Sequence, residues 1–132
     1  MNMLEKWREY NQTDVPKDTY EVSEVVQNSE GTVIKLMGEK NNMNITFGFV
    51  DSLRITDEGR RIQTYNEIES IQKYRENFIG NPLYKVEQSE YVAWIKKESA
   101  GFCADVDHYV IITENDLIDI LSTFPPTITN YV

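Results

Sequence analysis

Cysteine occurs once in this chain, at Cys103, and histidine once, at His108. A single cysteine excludes an intrachain disulfide, and nothing suggests an oxidising compartment. A single histidine leaves any Ser-His-Asp or Cys-His relay with one candidate base. Basic residues are outnumbered, 13 Lys and Arg against 22 Asp and Glu, giving a formal net charge of −9. That deficit argues against a nucleic-acid binder, because phosphate binding needs Lys and Arg. No apolar run approaches the ~18 residues a membrane-crossing helix needs. The start, MNMLEKWREY, has no long apolar core and no small-residue cleavage site, so no signal peptide is expected. A glycine-rich phosphate loop, zinc spacing, a calcium loop and a nucleophile elbow are all missing. These absences move the balance from enzyme towards binding protein, with no cofactor, and the chain reads as cytoplasmic.

What is present is enough for one core. The 132 residues suit a single domain spanning 1–132, since a chain of this size typically buries ~68% of its unfolded surface. The stretch DHYVIITENDLIDILSTFPPTI at 107–128 is the organising unit. Residues 108–112 read as a strand buried on both faces. Thr113 is a candidate N-cap, and Glu114 and Asp116 suit the first turn of a helix. Leu117, Ile118, Ile120 and Leu121 recur at helical spacing, and Pro125 and Pro126 end the run. A short helix is therefore expected there.

The pattern elsewhere predicts a helix over residues 2–10, with Met3, Leu4, Trp7 and Tyr10 on one side. A hairpin is expected from Tyr20–Asn28 and Thr32–Met37, followed by an alternating strand over 43–50 with Ile45, Phe47 and Phe49 on one face. Strands are expected at 53–56, 60–65 and 83–86. Asn66 and Glu69 have capping-box spacing, and Ile68, Ile71, Tyr74 and Phe78 follow at helical intervals towards Gly80. Ser89 caps a further helix, with Tyr91, Val92, Trp94 and Ile95 as its apolar face and Lys96 and Lys97 in its last turn. Together this is an α+β fold, mainly antiparallel β-sheet packed by three to four short helices.

Candidate chemistry is sparse. Cys103 sits five residues before His108, so in an extended span the two would face opposite sides; a structural histidine is the preferred reading. Cys103, Asp105 and Asp107 would share a face and could hold a metal, but no recognised ligand spacing accompanies them. Asp57, Glu58, Glu67 and Glu69 could supply paired carboxylates for glycoside chemistry, with nothing to fix their separation. A surface for a basic partner is the better use of such charge. Trp7, Tyr91 and Trp94 suit an interface or a core, with core preferred.

Three segments, FVDSLRITDEGRRI at 49–62, NPLYKVEQSEYVAWI at 81–95 and HYVIITENDLIDILSTFPP at 108–126, carry a resemblance. From about residue 45 onwards the chain resembles a family of small bacterial cytoplasmic proteins, some of which sit beside secreted toxins and resemble immunity proteins. The resemblance carries no catalytic motif and transfers no site residue. It implies a protein partner, a basic toxin such as a nuclease, neutralised by an acidic surface. Asp57, Glu58, Glu114, Asp116 and Asp119 are the candidate partner-binding residues. The alternative is a small-molecule-binding or sensory domain, with Gly48, Trp94 and Tyr109 near a pocket between sheet and helices. A hydrolase using His108 is a third class.

Overall fold

The computed structural model describes residues 5–10, 15–72, 80–103 and 105–131. The strands are β1 (Lys6–Glu9), β2 (Tyr20–Asn28), β3 (Gly31–Gly38), β4 (Asn42–Phe47), β5 (Ser52–Asp57), β6 (Leu83–Glu87), β7 (Asp107–Ile112), β8 (Asp116–Ser122) and β9 (Thr127–Tyr131). The helices among the described residues are α1 (Ile62–Glu67) and α2 (Glu90–Glu98), with 3₁₀ turns at Glu58–Arg60 and Glu69–Ile71. Among the described residues the fold is thus mostly antiparallel β with two α-helices, rather than the three to four expected.

The strands form a five-stranded sheet, β1-β6-β7-β8-β5, and a four-stranded sheet, β2-β3-β4-β9. All pairings are antiparallel. Period-2 alternation decides where each residue goes. Ile34, Leu36, Met43, Ile45 and Phe47 of the smaller sheet pack on Leu83, Tyr109, Ile111, Ile118 and Ile120 of the larger one, and all are buried. The opposite face of the larger sheet carries Tyr84, Val86, Val110, Ile112 and Leu117. Trp7 extends that face at the sheet edge, and Tyr65, Ile68 and Ile71 cover it. Burial of each large apolar side chain contributes roughly 1.5–3 kcal/mol, so the five-stranded sheet is held from both sides.

Position in that sheet explains the largest departure from expectation. Residues 116–122 form β8, not a helix. β8 lies between β7 and β5, with Ile118 and Ile120 towards the smaller sheet and Leu117 and Leu121 towards the helices, all fully buried. A strand buried on both faces needs apolar residues at consecutive positions, and here that run also has helical spacing. Thr113 Oγ1 does accept the Asp116 N–H at 3.1 Å, as an N-cap would. The Thr113 N–H, however, donates to the Asp116 carbonyl at 2.9 Å, and the chain folds back as a hairpin.

Three other expectations change. Residues 6–9 form an edge strand paired with β6, not a helix, because Trp7 opposite Val86 completes the helix-facing core; Met3 and Leu4 lie outside the described residues. The strand expected at 60–65 is a 3₁₀ turn leading into α1. Of the helix expected after Asn66, the described part is the end of α1, a 3₁₀ turn and a helical Gln72, with Ile68 and Ile71 buried; Tyr74 and Phe78 lie outside the described residues. The β2–β3 hairpin, the strands at 42–47, 52–57 and 83–87, and the Ser89-capped helix form as expected. β4 stops at Phe47, which leaves Phe49 exposed.

One turn is fastened from a distance. The buried Asp18 carboxylate accepts the backbone N–H groups of Thr19, Glu39, Lys40 and Asn41, and the Asn41 amide, at 2.7–3.2 Å. A Cβ at Gly38 would run into that carboxylate.

Candidate functional site

The end of β5 and the start of β8 are in register, with Asp57 directly opposite Asp116. The Glu58 N–H donates to the Asn115 carbonyl at 2.8 Å, and the Glu114 N–H donates to the Tyr20 carbonyl at 2.8 Å. Asp57, Glu58, Glu114 and Asp116 are therefore brought together at one end of the larger sheet. Asp57 and Glu114 are exposed, and Glu58 and Asp116 are half-buried. Asp57 also caps the 3₁₀ turn, its Oδ2 accepting the Gly59 N–H at 2.9 Å. Burial, and then the Asp57 charge, hold the Asp116 carboxyl above its ordinary value. Among the described residues none of these carboxylates is in an ion pair.

Asp119 does not belong to that surface. It is fully buried on the helix-facing side of β8. A carboxylate flanked by Ile118 and Ile120 in a central strand needs partners, because an unpaired buried charge costs several kcal/mol. Its Oδ1 meets His108 Nε2 at 2.8 Å. Its Oδ2 accepts from Arg54 Nε at 3.0 Å and from Arg61 Nη1 at 2.7 Å. Burial alone would raise the Asp119 carboxyl. The His108 hydrogen bond, the Arg61 charge and the Arg54 hydrogen bond outweigh it and hold the carboxyl well below the usual range.

Each partner is placed by its element. Arg54 lies on β5 directly opposite Asp119. Arg61 precedes α1, where its Nε donates to Thr64 Oγ1 at 3.0 Å. His108 lies on β7, 2% exposed, with Tyr91 and Trp7 edge-on to its ring. Gln88, at φ 57, turns β6 into α2 and sets Ser89 at the cap. Ser89 Oγ accepts the Val92 N–H at 3.0 Å and lies 2.7 Å from His108 Nδ1. The pattern is complete when His108 Nε2–H donates to Asp119 and Nδ1 accepts from the Ser89 hydroxyl. Ser89, His108 and Asp119 thus have the composition of a hydrolytic relay. Here the hydroxyl is already occupied twice, and the carboxylate is shared with two guanidiniums. This run of hydrogen bonds ties the start of α2 to the sheet.

A cavity of about 310 Å³ lies between this face of the sheet and the helices, lined in part by Glu5, Arg54, Arg61, Glu67, Glu90, Tyr91 and His108. Glu5 bridges two of its walls, accepting the Trp7 indole N–H and the Glu90 backbone N–H, both at 2.9 Å. The Arg54 guanidinium stacks 4.4 Å above the Tyr91 ring.

The remaining candidates do not converge. Gly48 borders a different depression, Trp94 is half exposed, and Tyr109 packs in the inter-sheet core against Phe47. Trp7 and Tyr91 are buried, as core aromatics. Cys103 Sγ lies 3.6 Å from Asp51 Oδ1, Asp105 is exposed, and Asp107 pairs with Lys85 at 3.6 Å. Among the described residues no group of three or more His, Cys, Asp or Glu is placed to hold a metal ion. Glu67 ends α1 and Glu69 begins the next turn, on different elements from Asp57.

Arg54 and Arg61 were not singled out by the sequence, and Asp119 was placed outside. The available signal was Asp119 itself, a lone carboxylate inside LIDIL, which demands cations from elsewhere in the fold. No helix among the described residues is long and apolar enough to cross a membrane. Protein-family models, curated proteins and solved structures, searched in turn, give no match to this chain.

Proposed function

We propose that the chain is a non-enzymatic protein-binding domain whose acidic end receives a basic partner. Its sharpest form is an immunity protein that covers the active site of a basic toxin. The observation that supports this reading is the register of Asp57 against Asp116, with Glu58 and Glu114 beside them and none of the four in an ion pair among the described residues. Like charges directly opposite on paired strands destabilise a sheet. A basic partner would relieve that repulsion and gain a complementary field that speeds encounter. The net charge of −9 acts in the same direction.

Association kinetics with the partner test the reading. Lysine replacing Asp57, Glu58 and Glu114 together should slow the on-rate by about tenfold or more and flatten its dependence on salt. In a cell making the toxin, the wild-type chain should protect and the reversed chain should not. An unchanged on-rate would rule out the acidic end as the contact.

A further inference from the structure

The cavity between sheet and helices has a charge arrangement that the protein's own contacts leave incomplete. Two guanidiniums that line it, the half-exposed Arg54 and the more buried Arg61, share the single carboxylate of Asp119. Arg54 uses only Nε in hydrogen bonds, and Arg61 only Nε and Nη1. Their remaining N–H groups have no partner among the described residues, and the Arg61 side chain is only 15% exposed. Glu67 at the end of α1 and Glu90 at the start of α2 also line it, both exposed and their carboxylates without a partner among the described residues. The third carboxylate, Glu5, has both oxygens engaged.

We propose that this cavity binds a small zwitterion of the α-amino acid class, with its carboxylate on Arg54 and Arg61 and its ammonium on Glu67 and Glu90. A simple anion would have to lie against the glutamates, and a simple cation against the guanidiniums. A molecule carrying both charges on one carbon complements both sets of side chains. The guanidinium fork matches a carboxylate in shape as well as charge. Ile68 and the Tyr91 ring supply an apolar wall. Ligand cavities span about 300–1,000 Å³, so this one favours a short side chain. The site uses none of the carboxylates of the acidic end, and it stands or falls separately from partner binding.

The test is calorimetry on the full chain with each standard L-amino acid. Each is paired with its amide, which lacks the carboxylate, and its desamino acid, which lacks the ammonium. At least one amino acid should bind and raise the melting temperature by mass action. Its amide and desamino forms should bind roughly tenfold or more weakly, the loss expected for one charge-assisted contact. The exposed pair Glu67→Gln and Glu90→Gln should weaken the amino acid about as much and should not weaken the desamino acid. Arg54→Gln should weaken both. Any of three results would overturn the proposal: no heat and no melting shift with any amino acid, an amide that binds as well as its acid, or no effect of the glutamine pair.

Discussion

Asp119 holds two guanidiniums and an imidazole from a position with no solvent access. Removing one member of such a buried set leaves the others uncompensated. Asp119→Ala should therefore cost about 3–5 kcal/mol, read by urea unfolding. The same residue sets a pH dependence. Its folded pKa lies below its unfolded one. The stabilisation is therefore complete above the unfolded value and is lost as pH falls towards the folded one. The acid limb of the stability curve should begin to drop below roughly pH 5, and Asp119→Asn should flatten that limb. Asp116 runs the other way, because its carboxyl is raised; its contribution is present at low pH and lost as pH rises. Asp57→Asn keeps an oxygen to cap the Gly59 N–H and removes the opposing charge. It should stabilise the fold at neutral pH by about 0.2–1 kcal/mol and lower the Asp116 pKa, measured by NMR titration.

At the level of elements, turns and alternation were readable and the long-range pairings were not. Ser89 reads as a cap because a hydroxyl before an amphipathic run has one strong local use, and it is one. The β2–β3 hairpin follows from NSEG between two apolar runs. Residues 116–122 misled because a central strand loses its alternation once both faces are covered. Trp7 misled because four residues at the sheet edge take their conformation from β6, not from their own propensity. The same limit hid the cavity. Arg54 and Arg61 are near each other in the chain but lie on different elements, Glu90 is far from both, and the three meet through the β5–β8 register and the turn at Gln88 and Ser89. That β8 is a strand can be checked by hydrogen exchange. Amides of 117–121 should exchange as slowly as those of 109–111, whereas a peripheral helix would open more readily. The β3–β4 turn offers a second check. Asp18→Ala removes the acceptor of four backbone N–H groups and should cost about 1–3 kcal/mol in denaturant unfolding.

On the scale of the whole molecule, two sheets enclose one core and the helices enclose a second on the far side of the larger sheet. The buried Asp119 carboxylate has cationic partners inside the fold, while the carboxylates at the β7–β8 turn and the end of β5 have none among the described residues. That division is the basis for reading the molecule as a binding domain with a rigid body and a charged end. The most direct measurement is an NMR titration of the labelled chain with a short oligolysine peptide as a stand-in for a basic partner. Shifts should concentrate at Asp57, Glu58, Glu114, Asn115 and Asp116, with Asp116 titrating at a lower pH once the peptide is bound. Shifts spread evenly over the surface, or centred elsewhere, would contradict this reading.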